Sequence, residues 1–244
     1  RDWRKNNLQI LLRRDVTFMK DKTLVGGIVV MVVGVLLIGI VWVLFLQPSR
    51  TPSQPITAIP ITIQGDRSSY TMFEIVPAES EVTFTLNETL RGLPTTVVGS
   101  SRHVAGQIAI DFANPAASQI GPVLINARTL LTDNEFRNNA IHSFILDSEP
   151  YEFITFTPNQ ISGLPNEFVP DQPISIQTEG NLTIREVTRP VTFTGTITPN
   201  GRTQLTGSAT TQIMRENFDL QIPNAPGVAN VSEEVSLTID FVTR

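Results

Sequence analysis

The chain has 244 residues with 18 Lys/Arg against 23 Asp/Glu, and the imbalance is uneven: residues 1–46 hold seven basic and three acidic side chains, residues 47–244 eleven and twenty. The acidic C-terminal part lacks the basic footprint that nucleic-acid binding needs. There is no cysteine, and every basic residue after Lys22 is arginine, so thiolate, iron–sulfur, cysteine–zinc and lysine Schiff-base chemistry are all excluded from residues 47–244.

Residues 1–23 carry Leu8, Leu11, Leu12, Val16 and Met19 at helical spacing among basic side chains. Two readings fit this segment: a short interfacial helix, or a cytoplasmic basic flank that only sets topology. Residues 24–46, LVGGIVVMVVGVLLIGIVWVLFL, hold no charge. As a helix rising about 1.5 Å per residue this run covers roughly 34 Å, enough for a hydrocarbon core of ~30 Å. It is longer than the apolar region of a signal peptide and continues into Gln47-Pro48-Ser49-Arg50, which is not a small-x-small cleavage site. A retained single-pass anchor is the expectation. Basic residues gather before it, so the N-terminus is expected in the cytoplasm and the rest outside, which for a bacterial protein is the periplasmic face. Gly27 and Gly34 share one helix face that another membrane helix could approach.

Residues 47–68 contain Pro48, Pro52, Pro55 and Pro60 among Ser, Thr and Gln, and read as an extended linker. From residue 69 to 244 the pattern changes to period two. Val82, Phe84 and Leu86 alternate with polar residues, as do Ile108, Ile110 and Phe112; similar runs follow at 123–129, 151–157, 174–178, 182–184, 191–197, 204–213 and 235–241. One apolar and one polar face per strand predicts antiparallel sheet with one side wet, arranged as a barrel or sandwich. Asn200-Gly201 is the best tight-hairpin candidate. Thr132-Asp133-Asn134-Glu135 reads as a capping box opening one short helix, with Phe136, Ala140, Ile141, Phe144 and Ile145 facing an apolar interior and Arg137, Asn138 and Asn139 facing out.

Several of these stretches resemble the YceI-like family of bacterial periplasmic and secreted proteins. Residues 80–86, SEVTFTL, are similar to its opening strand, and Gly106 to Asp111 to its G-x-I-x-x-D strand. Residues 127–137 are similar to its entry to the helix, 151–156 to YP-x-I-x-F, 180–191 (GNLTIREVTRPV) to G-x-LTI-x-G-VT-x-PV, and Arg215 to Phe218 to R-x-x-F. The resemblance spans about residues 70–243 and does not reach the anchor. It implies an all-β, eight-stranded antiparallel lipocalin-like barrel with one capping helix, whose interior takes a long isoprenoid chain such as polyprenyl phosphate, a quinone or a carotenoid. Three positions depart from the pattern: Glu88 stands where the family often has His, Glu186 where it has the turn Gly, and Glu152 where it has Pro.

No serine sits in a nucleophile elbow, no Gly-rich phosphate loop occurs, and the two histidines, His103 and His142, are far apart in sequence. The chain is therefore read as a binding protein with no catalytic residue, metal or covalent cofactor. Ligand-lining candidates are Phe84, Leu86, Ile110, Phe112, Phe156, Leu182, Phe193 and Phe241 on apolar strand faces, with Phe136 and Phe144 on the lid. The alternative is an accessory subunit of a membrane complex, docking through the anchor and the barrel exterior.

Overall fold

The computed structural model describes residues 55–63 and 66–244. The basic segment 1–23, the anchor 24–46 and the first part of the linker lie outside the described residues. Among the described residues no helix is long and apolar enough to cross a membrane. Residues 55–63 have no regular secondary structure, yet they pack on the domain: Ala58 is buried and the Ile61 N–H donates to Gln107 Oε1 at 3.1 Å. This part of the linker is therefore not a free spacer.

Fourteen strands follow, with every ladder antiparallel: β1 (Tyr70–Glu74), β2 (Glu81–Leu90), β3 (Leu93–Ser101), β4 (Val104–Ala105), β5 (Gln107–Asp111), β6 (Gln119–Ile120), β7 (Val123–Asn126), β8 (Leu131–Thr132), β9 (Phe153–Ser162), β10 (Ile174–Ile184), β11 (Val187–Asn200), β12 (Gln204–Met214), β13 (Val228–Ala229) and β14 (Glu234–Thr243). The main sheet runs β4-β7-β9-β10-β11-β12-β14-β2-β3-β8 with β13 beside β2, and β1-β5-β6 form a second sheet. Eleven strands in the main sheet replace the expected eight. Of these, β4, β8 and β13 are two-residue strands, and the sheet curls into a half-barrel rather than closing on itself. The Asn126 N–H donates to the His103 carbonyl at 3.0 Å, which extends the β4–β7 ladder at one edge, and Ser101 Oγ at the end of β3 lies 2.6 Å from Thr129 Oγ1 in the turn after β7.

Register decides which face is inside. Ile176, Thr178, Gly180, Leu182 and Ile184 of β10 sit opposite Gly195, Phe193, Val191, Arg189 and Val187 of β11. The inward set continues through Leu205, Gly207, Ala209, Thr211 and Ile213 of β12 and Val235, Leu237, Ile239 and Phe241 of β14 to Val82 and Phe84 of β2. One end of this curl is closed by the smaller sheet, where Phe73, Ile108 and Ile110 pack on Phe168, Ile176, Ile197 and Leu205. The Asn200–Gly201 turn, expected to be tight, is a three-residue loop of Gly201, Arg202 and Thr203, because Asn200 pairs with Gln204. Gly201 takes φ +65°, a conformation few other residues adopt at low cost.

Polar residues of the recurrent sequence pattern act as structural pins. Asp111 accepts the N–H groups of Ala113 and Asn114 at 2.9 Å and so turns the chain after β5. Buried Arg215 donates to the Ser232 and Leu220 carbonyls at 2.9 and 2.8 Å and to Glu233 Oε1 at 2.7 Å, holding the loop between β12 and β14 while Phe218 enters the core. Arg215→Met leaves these acceptors without their donor. The urea midpoint should fall by an amount equivalent to about 2–4 kcal/mol with unchanged m value.

Candidate functional site

The curl holds two packed ends and an open middle. Toward the smaller sheet, Ile176, Ile197 and Leu205 are buried; toward the other end, Leu182, Ile184, Ile213 and Val235 are buried with Leu130, Ile141, Leu146, Phe218 and Leu220. Between them the inward positions of β10 and β12 are small, Thr178 and Gly180 on β10 and Gly207, Ala209 and Thr211 on β12, while β11 between them carries Gly195, Phe193 and Val191. Around the rest of the inner face stand larger apolar side chains that are only half-buried, including Phe84, Leu86, Val123, Ile125, Ile154, Leu237 and Ile239. These side chains pack on the buried cluster and still reach solvent, so part of the inner apolar face is left uncovered by the core.

Three aromatic rings lie against glycines of the wall. A methyl group built on Gly99 would overlap the Phe84 ring, and the same holds for Gly180 with Phe156 and Gly207 with Phe241. Each ring's far end therefore takes the space a side chain would occupy on a neighbouring strand's glycine. Phe156 also meets Phe193 edge-on, with centroids 4.9 Å apart.

The sequence candidates divide accordingly. Phe84, Leu86, Phe156, Leu182 and Phe193 come together on the inner face, and Phe241 lies where the lumen meets the closed end. Ile110 and Phe112 do not line the lumen. They belong to the packed end, where Phe112 contacts Phe73 and Phe168 edge-on at 6.5 and 5.5 Å between centroids, with Arg202 over its ring at 4.9 Å. Phe136 and Phe144, expected inward, are 55% and 43% exposed. Sequence reasoning missed Val123, Ile125, Ile154, Leu237 and Ile239, whose period-two spacing was available. It also missed the small residues opposite them, which leave no hydropathy signal.

The lid explains its own inversion. Helix α1 (Glu135–Ala140) runs into a π turn, Ile141–Ile145. Its buried residues are Asn138, Asn139, Ile141 and His142, with Ile145 half-buried, so Asn138 and Asn139, expected outward, face in, and Phe136 and Phe144 do not. Asn138 faces in because its Oδ1 accepts the Thr132 N–H at 2.7 Å and the Thr132 hydroxyl at 2.8 Å, tying the helix to β8. The expected capping box is displaced: Asn134 is the N-cap, accepting the Arg137 N–H at 3.1 Å. Arg137, expected outward, donates to Glu88 Oε1 at 2.8 Å and to Asp133 Oδ1 at 2.7 Å. Glu88 is an inward residue of β2 and almost wholly buried, so this ion pair clamps the lid to the barrel wall. The substitution for the family's usual His thus serves an attachment. Among the described residues no cluster of three or more His, Asp or Glu could hold a metal ion.

His142 is buried on the lid. Its Nε2 lies 2.8 Å from the Leu130 carbonyl, which fixes the proton on that nitrogen, while Nδ1 has no partner among the described residues. Burial pushes the imidazole below its ordinary value of 6.5, against weaker opposing effects of the Leu130 carbonyl and Glu135. A base with a depressed folded pKa binds protons more readily when unfolded, so its contribution is complete above about pH 6.5 and is lost as pH falls toward the folded value. Thermal midpoints between pH 7.5 and 5 should therefore drop more steeply for the wild type than for His142→Gln, which can keep the bond to Leu130 without titrating.

A scan of protein families matches the YceI-like domain over residues 73–243. A search of curated proteins finds no match. Among solved structures, a polyisoprenoid binding domain from Saccharophagus degradans implicated in plant cell wall breakdown superposes with TM-score 0.56 at 12% identity, covering 70% of this chain and 97% of that one. BcnA of Burkholderia cenocepacia gives TM-score 0.54 at 21% identity, over 69% and 98% of the two chains. At these identities the likeness is one of fold. With the family matched across all the long strands, this chain belongs to the YceI-like family.

Proposed function

We propose that this protein binds or carries an isoprenoid lipid in its barrel at the outer face of a bacterial cytoplasmic membrane, held there by residues 24–46, and that it is a binding protein and not an enzyme. The observation that carries this reading is the incompletely covered apolar inner face, where half-buried Phe84, Leu86, Leu237 and Ile239 stand beside the small residues of β12. Membership in a family that includes a polyisoprenoid binding domain supports it. Each buried methylene of a tail contributes about 0.8 kcal/mol, so a few prenyl units suffice for binding without polar contact. The apolar run and the basic residues before it support the anchor and its orientation.

A second reading, an accessory subunit of a membrane complex, draws on exposed apolar side chains outside the lumen. Val98 on β3 is 50% exposed, Leu131 on β8 48% and Phe136 on the lid 55%. Both readings meet one experiment. The full chain is extracted from its native membrane in mild detergent, run on a native gel, and its lipid identified by mass spectrometry. The carrier reading expects a co-purified polyprenyl, quinone or carotenoid that is lost in Ala209→Phe, a variant that fills the lumen while keeping the circular dichroism of the wild type. A lipid-free wild type together with an Ala209→Phe variant that cannot fold would mark a filled barrel and end that reading. Migration within a larger assembly would favour the subunit.

A further inference from the structure

The wall of the barrel is not continuous. Strand β11 extends back to Val187 and β12 forward to Met214, yet their ladder stops at Thr194 and Thr210. Beyond that pair β11 stays on β10, from Val191 opposite Gly180 to Val187 opposite Ile184. Strand β12 stays on β14, from Thr211 opposite Leu237 to Met214 opposite Glu234. The two strands therefore splay. Pro190 lies in the unpaired stretch, where a residue without an N–H takes nothing from a ladder. Next to it the β9–β10 ladder carries a bulge, since Glu179 pairs with Gln160 and Gly180 with Pro158, leaving Asn159 as the extra residue. Bulges of this kind sharpen local twist and turn side chains away from regular pairing.

A concavity of about 530 Å³ sits at the point of divergence, within the usual size range of small-ligand sites. Gly180, Val191 and Thr211, which hold inward register positions, line it together with the outward residues Gln160, Glu179, Thr192 and Gln212. The wide end of the wedge is occupied by the 3-10 turn Arg215–Phe218, whose Phe218 is 2% exposed. What stays open is the narrow part, beside half-buried Phe193 and Leu237 of the lumen.

We propose that this gap is a lateral window through which an isoprenoid tail enters the lumen, and that the lipid's polar head, an uncharged hydroxyl or quinone, rests in it. The inference rests on the isoprenoid reading above and narrows its ligand class. The lining offers amides from Asn159, Gln160 and Gln212 and hydroxyls from Thr192 and Thr211, which can donate to the carbonyls of a quinone and both donate to and accept from a hydroxyl. Its only charge is the Glu179 carboxylate, which repels a phosphate. Arg189, next to Pro190, is outside the lining; it is exposed, and its Nη1 donates to the Thr188 carbonyl at 3.1 Å.

Radiolabelled polyprenol and polyprenyl monophosphate of equal chain length, offered to the full chain in detergent micelles, test the head. The alcohol should bind at least about tenfold tighter, and Glu179→Gln should strengthen the phosphate alone by about two- to fivefold, as expected for an exposed charge. The absence of cysteine allows a bulky maleimide to be placed at a single position. On Gln212→Cys it should slow polyprenol uptake more than about tenfold, and on Asp240→Cys, an exposed residue of β14, it should not. Tighter binding of the phosphate, abolished by Arg189→Gln, would seat the head at the rim and overturn the window. Unchanged uptake by the Gln212 adduct would overturn it as well. If the folded wild type takes up neither lipid, the isoprenoid reading falls and the window falls with it.

Discussion

Everything distinctive about this domain depends on inward apolar side chains that pack on the core of a curled sheet and yet stay only half-buried. Small barrels ordinarily fill their interior, because burying large apolar residues is the main favourable term of folding. Here the large residues are concentrated at the two ends. Phe73, Ile176, Ile197 and Leu205 close one end; Leu182, Ile213, Phe218 and Val235 close the other. The middle layer is Thr178, Gly180, Gly195, Gly207, Ala209 and Thr211, with the Phe156 ring over Gly180, the Phe241 ring over Gly207 and, farther round, the Phe84 ring over Gly99. Stability is carried by the ends and the ladders, which leaves the middle free for another role.

The alternation of apolar and polar residues reveals the strands because a half-wet sheet forces it, and Val82–Leu86 or Val235–Phe241 appear in the sequence as they do in the fold. Strand β3 was not legible: Leu93 to Ser101 contains Pro94, Gly99 and two terminal serines, which dilute the pattern, although Gly99 is there for the Phe84 ring. The break of register between β11 and β12 was not legible either. Both strands read as uninterrupted runs, and pairing is a property of two segments, not of one. Hydropathy ranked Phe136 and Phe144 above Asn138 and His142, and that ranking inverted the lid. It measures transfer from water and takes no account of the hydrogen bonds a particular neighbour supplies. At the site, aromatics were found and small residues were not, for the same reason: a lumen is defined as much by missing side chains as by present ones.

The polar residues that recur in the family pattern gain a physical reading from this. Asp111, Arg128 and Arg215, together with Asn126 just before the 127–137 stretch, all bond backbone groups of loops at the ends of strands. Arg128, for example, donates to the Ser148 carbonyl at 2.8 Å and pairs with Glu152, which in turn accepts from Asn126. Glu152 thus takes part in a pin at a position where a proline could offer no side-chain acceptor. These groups hold the shape of the container, and the specificity of the sequence motif is a specificity for shape.

The lid completes the argument for an occupant. A helix that sealed the lumen by packing would present its phenylalanines inward and fill the space, as a core element does. This helix presents Asn138, His142 and the Arg137–Glu88 clamp instead, so it is attached by directional bonds along its edge and contributes only Ile141, Ile145 and Leu146 to the apolar interior. The inner face is left with apolar surface that neither the walls nor the lid covers. Such surface exposed to water is unfavourable by about 25 cal/mol for each Å², and larger residues at Gly195 or Gly207 could not cover it, because a methyl group at either would meet the neighbouring strand's backbone or the Phe241 ring. A long, flexible, branched hydrocarbon covers that surface without needing a single polar contact in the middle of the lumen, which is where this protein offers none that is free and charged.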